Sequence, residues 1–281
     1  MAEIRLENIS YVYSEGTPFE ISALDDINVT IKNGSVTGII GHTGSGKSTL
    51  VQMLNGLVKP ARGKVMLDGK DIWENPKEIG KIRFRVGLVM QYPEYQLFEE
   101  TIRADIAFGP KNMGLDSKEI EERVLEAADF VGLDRDLLEK SPFDLSGGQK
   151  RRAAIAGIIA MRPEVLVLDE PAAGLDPSGR EMIMQSIMNY KKRTGATVVI
   201  VSHSMEDMAR YCDYLIVLAD GKLLMTGKKD EVFGRADELT AVGLDVPQIT
   251  TMMNLLAGMG IPVNTAVYTI DDALNQIYKL L

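Results

Sequence analysis

Short apolar runs of strand length alternate with longer amphipathic stretches along most of this chain. Residues 4–13 and 27–31 alternate apolar and polar side chains, which predicts two antiparallel strands separated by a loop that contains Gly16 and Pro18. Further short runs typical of buried strands follow at residues 35–40, 63–69, 86–90, 165–168, 197–201 and 214–218. Because these strands are interleaved with helical stretches, the pattern predicts an α/β fold with a mainly parallel sheet covered on both faces and a separate antiparallel β subdomain.

The pattern becomes helical from about residue 95 to residue 160. A predicted helix in this block ends at Gly132 and carries one apolar face formed by Ile120, Val124, Ala127 and Val131. Since the block interrupts the series of strands, we expect an inserted helical subdomain that forms a second lobe beside the sheet.

The last part of the chain, residues 236–281, predicts a small helical extension. Two apolar stripes are spaced as on helices, one formed by Ile249, Met252, Met253 and Leu256, the other by Leu274, Ile277, Tyr278 and Leu281. Thr269 and Asp272 are spaced as a capping box before the second helix. The stripes fit a dimerisation element, and they fit a satellite core within the chain equally well.

Composition and charge narrow the class of protein. The chain has 281 residues, enough for one large domain or two unequal ones, and a formal net charge of −9, which argues against nucleic acid as the main partner. The single cysteine, Cys212, cannot form an internal disulfide and favours a reducing compartment. The first residues lack the pattern of a signal peptide, and no apolar run approaches the roughly 20 residues that span a bilayer. We therefore expect a cytoplasmic protein that does not itself cross a membrane.

The segment Gly41-His-Thr-Gly-Ser-Gly-Lys-Ser48 fits the pattern G-x-x-x-x-G-K-[ST] at every fixed position. A predicted strand precedes it, and it is followed by an apolar helical stripe formed by Leu50, Met53, Leu54 and Leu57. In such a turn, backbone N–H groups and the helix N-terminus bind phosphate oxygens, the Lys47 ammonium reaches the terminal phosphates, and the Ser48 hydroxyl is placed for Mg²⁺. The segment predicts a nucleoside triphosphate site rather than a glycine-rich surface turn.

Two carboxylates end the apolar run at residues 165–168. A buried strand there delivers Asp169 to the edge of the sheet where the phosphate loop also lies, so Asp169 is placed to hold Mg²⁺ directly or through water. Glu170 would then orient or deprotonate the water that attacks the γ-phosphate. The alternative is an ordinary strand end with solvated acids, and a phosphate loop in the same chain argues against it.

A second anion site is predicted where Leu145-Ser-Gly-Gly-Gln149 opens a helix of the inserted lobe. Ser146 is suited to cap this helix, and Gly147 and Gly148 leave its first N–H groups accessible. Since the two anion sites lie in different lobes, two molecules facing head to tail are better placed than one to close both onto a single nucleotide. A helix cap without a ligand is the simpler alternative.

In their order along the chain, these motifs resemble those of ABC-type ATPase domains. The resemblance covers residues 1–235 and rests on the phosphate loop, Gln91 after a strand, Leu145–Gln149, Asp169-Glu170, Ala173–Asp176, and His203 at the end of a later strand. It implies a P-loop NTPase-type fold that binds ATP and Mg²⁺. It also implies that two such domains sandwich two ATP molecules, each between one partner's phosphate loop and the other's Leu145–Gln149 segment.

The resemblance implies a role for individual residues of the site. Glu170 and His203 would be catalytic, with His203 hydrogen-bonded to the γ-phosphate, and Asp176 would contact the partner subunit. Mg²⁺ would be held by Ser48, Gln91 and Asp169. The residues that would act on the partner's ATP are Leu145, Ser146, Gly147, Gly148 and Gln149.

The nucleotide itself would be bound largely by the phosphate loop. The adenine would stack on Tyr13, with Tyr11 two residues before it as an alternative stacking ring, and His42 would be an unreactive loop residue. The residues implied to contact nucleotide are Tyr13, Gly41, His42, Thr43, Gly44, Ser45, Gly46, Lys47, Ser48, Thr49 and Gln91.

A closer resemblance, to the ATPase subunits of energy-coupling-factor transporters, lies in residues 91–98, 105–114 and 149–157. Gly157 stands where an arginine is usual in most other importer ATPases. Within the family, residues 94–100 and 108–110 are more similar to the second of its two paralogous ATPases. Ala172 departs from the Thr or Ser that is common at its position, away from the chemistry.

The closer resemblance implies an ATPase that powers uptake of a vitamin or metal ion, bound peripherally to the cytoplasmic face of the cell membrane. Its partners would be a paralogous ATPase in a heterodimer, a transmembrane coupling subunit and, indirectly, a substrate-binding membrane subunit, with no nucleic acid. Residues 236–281 would match the family's subunit-pairing extension. The alternatives are an ordinary ABC importer, a soluble ABC ATPase of DNA repair or translation, and a regulatory subunit that does not hydrolyse ATP, against which Glu170 and His203 argue.

Residues 92–98 predict an interface next to Gln91, because two tyrosines, Leu97 and Phe98 are more apolar surface than a hinge loop needs. By resemblance, this boundary between the lobes forms a groove for a cytoplasmic helix of the transmembrane subunit, where Glu94 would pair with a basic side chain of that helix. The alternative is that these side chains only pack the two lobes together.

Overall fold

A computed structural model describes residues 2–279 of the chain. Its strands are β1 Ile4–Tyr13, β2 Ile21–Ile31, β3 Val36–Ile40, β4 Arg62–Leu67, β5 Lys70–Asp71, β6 Val86–Val89, β7 Val165–Asp169, β8 Thr197–Val201, β9 Tyr214–Ala219 and β10 Lys222–Lys228. Its α-helices are α1 Lys47–Leu54, α2 Ile79–Arg85, α3 Ile102–Asn112, α4 Ser117–Phe130, α5 Gly147–Ile159, α6 Pro177–Thr194, α7 Met205–Tyr211, α8 Lys229–Phe233, α9 Ala236–Ala241, α10 Gln248–Gly258 and α11 Ile270–Ile277.

The strands form two sheets. The larger sheet has the order β10-β9-β3-β8-β7-β6, in which every pair is parallel except β9 with β10. Every residue of β3, β7 and β8 is buried, as expected for parallel strands covered on both faces. The carboxyl ends of these three strands meet at one edge, so the segments after Ile40, Asp169 and Val201 come together there.

The smaller sheet has the order β2-β1-β4-β5 and is antiparallel throughout. Its apolar face shares a core with helix α1 and with the facing sides of β3, β7 and β8. The inserted lobe consists of α3, α4 and α5, whose apolar faces join the second large core together with α6. The α/β fold with an antiparallel subdomain and an inserted helical lobe is therefore confirmed.

Some elements differ from the sequence prediction. Strand β2 begins at Ile21 rather than at residue 27, because register shifts in its pairing with β1 break the alternation that the prediction used. Strand β10 and helix α2 were not predicted. A signal for β10 was present in Asp220-Gly221, which have φ values of 48° and 76° and form a tight turn between β9 and β10.

Helix α1 is also shorter than predicted. It ends at Leu54, and Gly56 follows with φ 69°, a conformation that suits glycine at a helix end. Leu57 therefore lies beyond the helix with 46 % of its surface exposed, and its assignment to the apolar stripe was wrong. On the helix face predicted in the inserted lobe, Val124, Ala127 and Val131 are buried, whereas Ile120 is partly buried.

The extension after residue 235 contains both buried and exposed apolar residues. Leu239, Leu244 and Tyr268 belong to the large core of the helical lobe, and a small separate core is formed by Met253, Val267 and Ala273. Three residues of the predicted stripes are instead exposed, namely Met252, Leu274 and Tyr278. Leu281 lies outside the described residues.

The start of helix α11 is capped by Thr269, whose hydroxyl accepts the Asp272 N–H at 3.2 Å. The Asp272 carboxylate accepts the Thr269 hydroxyl at 2.6 Å, so this cap uses a side-chain pair in place of the full capping box. Within residues 2–279, no helix is long and apolar enough to cross a membrane.

Candidate nucleotide site

The phosphate loop connects buried strand β3 to helix α1, as the sequence predicts. Gly46 has φ 97°, and a methyl group there would clash with the Ala23 carbonyl oxygen, so only glycine fits this turn. The buried Lys47 ammonium donates to the Gly41 carbonyl at 2.7 Å and to the His42 carbonyl at 2.9 Å. Burial lowers the pKa of Lys47, and the charges of Glu170 and Asp169 act against this shift. The loop thus curls around an ammonium group, which is placed to meet the terminal phosphates of a bound nucleotide.

A cavity of about 420 Å³ opens above the loop. Of the residues predicted for the site, those that line it are Tyr13, Thr43, Gly44, Gly46, Lys47, Ser48, Thr49, Gln91, Asp169, Glu170 and His203. Sequence reasoning missed three further lining residues, Ile21, Ala23 and Val201, which carry no chemical signal. Ile21 pairs directly with Tyr13 across the two strands, so a correct start for β2 would have revealed it.

Gly41, His42 and Ser45 belong to the loop without lining the cavity. Ser45 is fully buried, and its Oγ makes no hydrogen bond within residues 2–279. The His42 side chain instead contacts the β9–β10 turn, because its Nε2 lies 3.2 Å from the Asp220 backbone nitrogen and 3.2 Å from the Asp220 carboxylate. These residues support the loop from behind.

Tyr13 is better placed than Tyr11 to contact a base. Tyr13 lines the cavity and is 40 % exposed, and its hydroxyl lies 3.1 Å from the Thr49 hydroxyl. Tyr11 is partly buried against the core of the small sheet, with its ring edge-on to Tyr13 at a centroid distance of 4.9 Å. Tyr11 therefore supports the ring that faces the cavity.

Asp169 is delivered to the cavity by the last position of β7. Its buried carboxylate accepts a hydrogen bond from the Ser48 hydroxyl. Burial raises the pKa of Asp169, while the Ser48 hydrogen bond and the Lys47 charge act in the opposite direction. With the Gln91 amide in the same cavity, the site has the hard oxygen donors that suit Mg²⁺.

Glu170 adopts an unusual backbone conformation, with φ 51°. Its N–H donates to the Val201 carbonyl at 3.0 Å, which ties the end of β7 to the end of β8. The buried Oε1 makes no hydrogen bond with the described residues and lies 3.4 Å from Nε2 of His203. Burial, helped by the nearby Asp169 charge, raises the pKa of Glu170 to about 7. A buried carboxylate with this pKa is suited to accept a proton near neutral pH.

His203 follows β8 and faces the same cavity. Burial and the positive charge of Lys47 lower the pKa of His203, so its imidazole is neutral at pH 7. A neutral ring can donate one hydrogen bond to an oxygen of a bound phosphate without adding a charge. The structure therefore brings together an ammonium, two carboxylates, an amide and an imidazole.

Leu145–Gln149 and Asp176, by contrast, are not among the residues that line this cavity. Ser146 caps helix α5 in a full capping box, since it accepts the Gln149 N–H at 3.4 Å and its own N–H donates to the Gln149 side chain at 2.9 Å. No atom lies within 4 Å of the position that a Cβ atom would take at Gly147 or Gly148. Asp176 caps α6 by accepting the Gly179 N–H at 2.7 Å.

The expectation for Glu94 was wrong. Rather than facing outward, the Glu94 carboxylate accepts two hydrogen bonds from Arg151, at 2.9 Å from Nε and 2.6 Å from Nη2. Arg151 lies 57 residues after Glu94 in sequence, so no local pattern connects the two residues. Tyr95 is 84 % exposed, and it therefore does not pack the lobes together.

A groove nevertheless lies between the two lobes. Its volume is about 510 Å³, and its walls include Leu57, Leu97, Phe98, Phe108, Gly109 and Gly157. Phe98 and Phe108 are exposed and pack edge-on at a centroid distance of 4.9 Å. One buried carboxylate, Asp105, also lines the groove and accepts the N–H groups of Phe98 and Glu99. The groove thus combines aromatic walls with a single buried acid.

Comparison with known proteins places the chain in a family. Residues 24–173 match the family model described as ABC transporter. The ATP-binding protein EcfA2 of an energy-coupling factor transporter from Caldanaerobacter subterraneus is 52 % identical over 278 residues, covering 99 % of this chain and 97 % of the relative. The corresponding protein of Streptococcus pyogenes is 49 % identical, covering 98 % and 99 %.

Solved structures agree with these relatives. The structure of cbiO1 from Clostridium perfringens, described as part of the ABC transporter complex cbiONQ, is 41 % identical with a TM-score of 0.75, covering 89 % of this chain and 98 % of that chain. A dimeric ATP-binding cassette in a post-hydrolysis state, bound to ADP and Pi, is 31 % identical with a TM-score of 0.73, covering 80 % and 98 %. This chain therefore belongs to the ABC transporter family and, within it, to the ATP-binding proteins of energy-coupling factor transporters.

Proposed function

We propose that this chain hydrolyses ATP to power the uptake of a vitamin or metal ion through an energy-coupling factor transporter. The observation that supports this proposal most directly is the single cavity that joins the phosphate loop to Asp169, Glu170 and His203. A site for nucleotide binding alone would need only the loop, whereas a buried Glu170 carboxylate whose Oε1 has no hydrogen bond to the described residues is suited to hydrolysis.

Different residues of the cavity have different roles in ATP binding and hydrolysis. Lys47 turns from the loop carbonyls to the terminal phosphates, and Tyr13 stacks on the adenine. Ser48, Gln91 and Asp169 would hold Mg²⁺, which would neutralise phosphate charge.

The chemical step then uses Glu170 and His203. Glu170 orients the attacking water and accepts its proton, which its raised pKa favours. His203 donates a hydrogen bond to the γ-phosphate as negative charge develops there. Neither residue needs to move between lobes, because both lie at the same edge of the sheet.

The site is completed by a second ATPase subunit. Gly147 and Gly148, which follow the Ser146 cap, leave their N–H groups accessible on the surface, away from the cavity of their own chain. In a head-to-tail pair these groups cap the nucleotide held by the partner, and Asp176 lies at the contact. The similar cassette bound to ADP and Pi is itself dimeric, and the names of the relatives favour a paralogous partner and hence a heterodimer.

The extension, residues 236–281, pairs the two subunits next to the ATPase domain of residues 1–235. Two of its helices, α10 and α11, bury one side on the small core of Met253 and Ala273. The extension also exposes large apolar residues, namely Met252, Leu255, Met259, Ile261, Ile270, Leu274 and Tyr278. So many apolar side chains on one short segment favour a protein interface.

The groove between the lobes binds the transmembrane coupling subunit. Phe98 and Phe108 are aromatic anchors exposed at its wall, and Gly157 leaves room where a long side chain would fill the space. This contact places the ATPase on the cytoplasmic face of the cell membrane as a peripheral protein. The substrate-binding membrane subunit is then reached only through the coupling subunit.

The substitution Lys47→Ala tests the nucleotide site. It removes the ammonium that the loop surrounds, and we expect ATP binding to be lost, because no other cation among the described residues lines the cavity. Lys81→Ala removes an exposed lysine on α2 and is the control that keeps ATP affinity unchanged. Tight ATP binding by the Lys47 variant, measured by calorimetry, would rule out this use of the loop.

A further inference from the structure

The buried guanidinium of Arg151 is a charged group of the helical lobe that the nucleotide site does not use. Arg151 lies in the second turn of α5, and only 2 % of its surface is exposed. Burying a guanidinium is costly unless its charge and its N–H groups are matched. Its partners therefore indicate what the residue is for.

Three contacts satisfy Arg151. Nε and Nη2 form the two-pronged ion pair with Glu94, and Nη1 donates to the Ala173 carbonyl. The guanidinium carbon lies 5.7 Å from the centre of the Tyr92 ring, within range of a cation–π contact. A lysine could not make these contacts, because it lacks the planar fork of donors.

These partners lie in segments that carry the proposed chemistry. Tyr92 directly follows Gln91, and Glu94 lies in the short 3₁₀ turn that comes next. The N–H of Ala173 donates to the Glu170 carbonyl at 3.1 Å, so the turn that Arg151 holds is the turn that begins at Glu170. Through α5, Arg151 is also attached to the Ser146 cap. One side chain thus joins the surroundings of Gln91, Glu170 and Ser146.

Lobe packing alone does not require this ion pair. Ala153, Ile155 and Ile159 of α5 already join the large core that contains Val89 and Leu166 of the sheet. A buried ion pair is weak evidence for stability, since apolar residues of the same volume often do as well. Its directed hydrogen bonds do determine the relative position of the three segments.

We propose that Arg151 is a positioning residue that ties the Gln91 segment and the Glu170 turn to the helix that acts on the partner's nucleotide. The proposal rests on the proposed ATP hydrolysis for its kinetic consequence. Because Pro93, which lies between Tyr92 and Glu94, lines the lobe groove, Arg151 transmits a displacement at the groove wall to both nucleotide sites that this chain contributes to.

Arg123 offers a matched control in the same lobe. It is an arginine of α4 with little exposed surface, it pairs with Glu119 at 2.7 Å, and it donates to the Met161 carbonyl at 3.2 Å. Its chemistry is thus the same as that of Arg151, an ion pair with glutamate plus a backbone carbonyl. Its partners lie outside the three segments.

The kinetic test compares Arg151→Lys with Arg123→Lys in the full-length chain, together with its paired ATPase subunit. We expect Arg151→Lys to lower kcat at least about tenfold while the nucleotide Kd changes less than about twofold, since the phosphate loop is untouched. Arg123→Lys should leave kcat within about twofold of the parent protein. Equal kcat values for the two variants, or a loss of kcat matched by a loss of nucleotide affinity, would overturn the proposal.

A second readout does not depend on turnover. In the nucleotide-free chain, Arg151→Lys should speed hydrogen exchange of the Ala173 and Tyr95 amides at least about tenfold, and Arg123→Lys should not. Unchanged exchange at both amides would overturn the positioning role even if the chain hydrolysed no ATP. Failure of the parent protein to hydrolyse ATP, with exchange altered as expected, would contradict the proposed function and leave Arg151 as the link between these turns.

Discussion

Glu170 has a backbone conformation and an environment that are unusual for a glutamate. It is buried beside Asp169, it has a positive φ, and its Oε1 lacks a hydrogen bond to the described residues. Each of these features costs free energy in the folded chain, and a carboxylate without a role would avoid them. The combination is therefore typical of a catalytic residue that acts on a water molecule next to a bound phosphate.

Replacing Glu170 by glutamine tests its role as a base. Glu170→Gln keeps the shape but cannot accept the proton, so we expect ATP still to bind while turnover falls by at least about 10²-fold. An ATP-bound dimer should accumulate and be detectable by gel filtration. Near-normal turnover would mean that another group is the base. His203→Ala is the companion variant, which should lose hydrolysis and keep ATP affinity.

The raised pKa of Glu170 also predicts a pH dependence. The carboxylate accepts a proton only when it is ionised, so kcat/KM should fall as the pH drops through about 7 and level off above it. The residual activity of Glu170→Gln should lack this acidic limb. ATP affinity measured at the same pH values separates the titration of Glu170 from that of the nucleotide. The range from about pH 6 to about pH 8 extends about one unit on either side of that pKa, and a parent profile that is flat across it would contradict the assignment.

The element with the clearest dual role is helix α5, whose first turn is both a structural cap and the proposed contact with the partner's ATP. Ser146 and Gln149 satisfy each other's backbone N–H groups in the isolated chain. The N–H groups of Gly147 and Gly148, in the same first turn, remain accessible, since nothing lies within 4 Å of the position of a side chain on either glycine. The helix end is thus stable before any nucleotide arrives.

Ser146→Ala separates the two roles when it is compared with Asp116→Ala. Asp116 caps α4 through two N–H groups and lies outside the proposed contacts. Each substitution should lower the free energy of unfolding by about 1 kcal/mol, but only the Ser146 variant should also lower ATPase activity in the paired complex. Denaturant unfolding and steady-state assays measure the two quantities. Equal activities would show that Ser146 is a cap alone.

At the scale of the whole molecule, the groove between the two lobes is the proposed surface for the membrane subunit. Glu94 is bound internally to Arg151, so Glu94→Lys would disturb the fold and cannot probe the groove surface alone. Phe98→Ala removes an exposed aromatic wall and should weaken binding of the membrane subunit at least about tenfold while sparing ATP affinity. Phe19→Ala, at an exposed aromatic residue of the loop between β1 and β2, is the control. Undiminished pull-down of the membrane subunit by the Phe98 variant would move the contact elsewhere.

Subunit pairing is the second whole-molecule property. Leu255→Asp and Leu274→Asp place charge on the exposed apolar side of the extension, and we expect nucleotide-free pairing to weaken at least about tenfold because the charge would be buried there. Leu224→Asp on β10 makes the same change at an exposed position outside the extension. Sedimentation equilibrium measures the association constant. Pairing equal to that of the Leu224 variant would exclude this face.

Much of the nucleotide site was predictable because its parts are local in sequence. The phosphate loop is a run of adjacent residues, and Asp169-Glu170 directly follow a buried apolar run. A parallel sheet brings the carboxyl ends of its strands to one edge, so the pattern alone placed these parts together. The structure agrees, since Lys47, Asp169, Glu170 and His203 line one cavity.

What the sequence by itself determined is therefore the α/β fold, the family and the chemical groups of the site, all of which follow from short motifs and their order. The tertiary structure alone decided that Glu94 binds Arg151, that Ile21 faces the cavity beside Tyr13, and that Leu274 is exposed. The physical reason is that a side chain's partner and exposure depend on distant segments packed against it. A local pattern gives the face of an element, whereas the fold determines which neighbour, or no neighbour, covers that face.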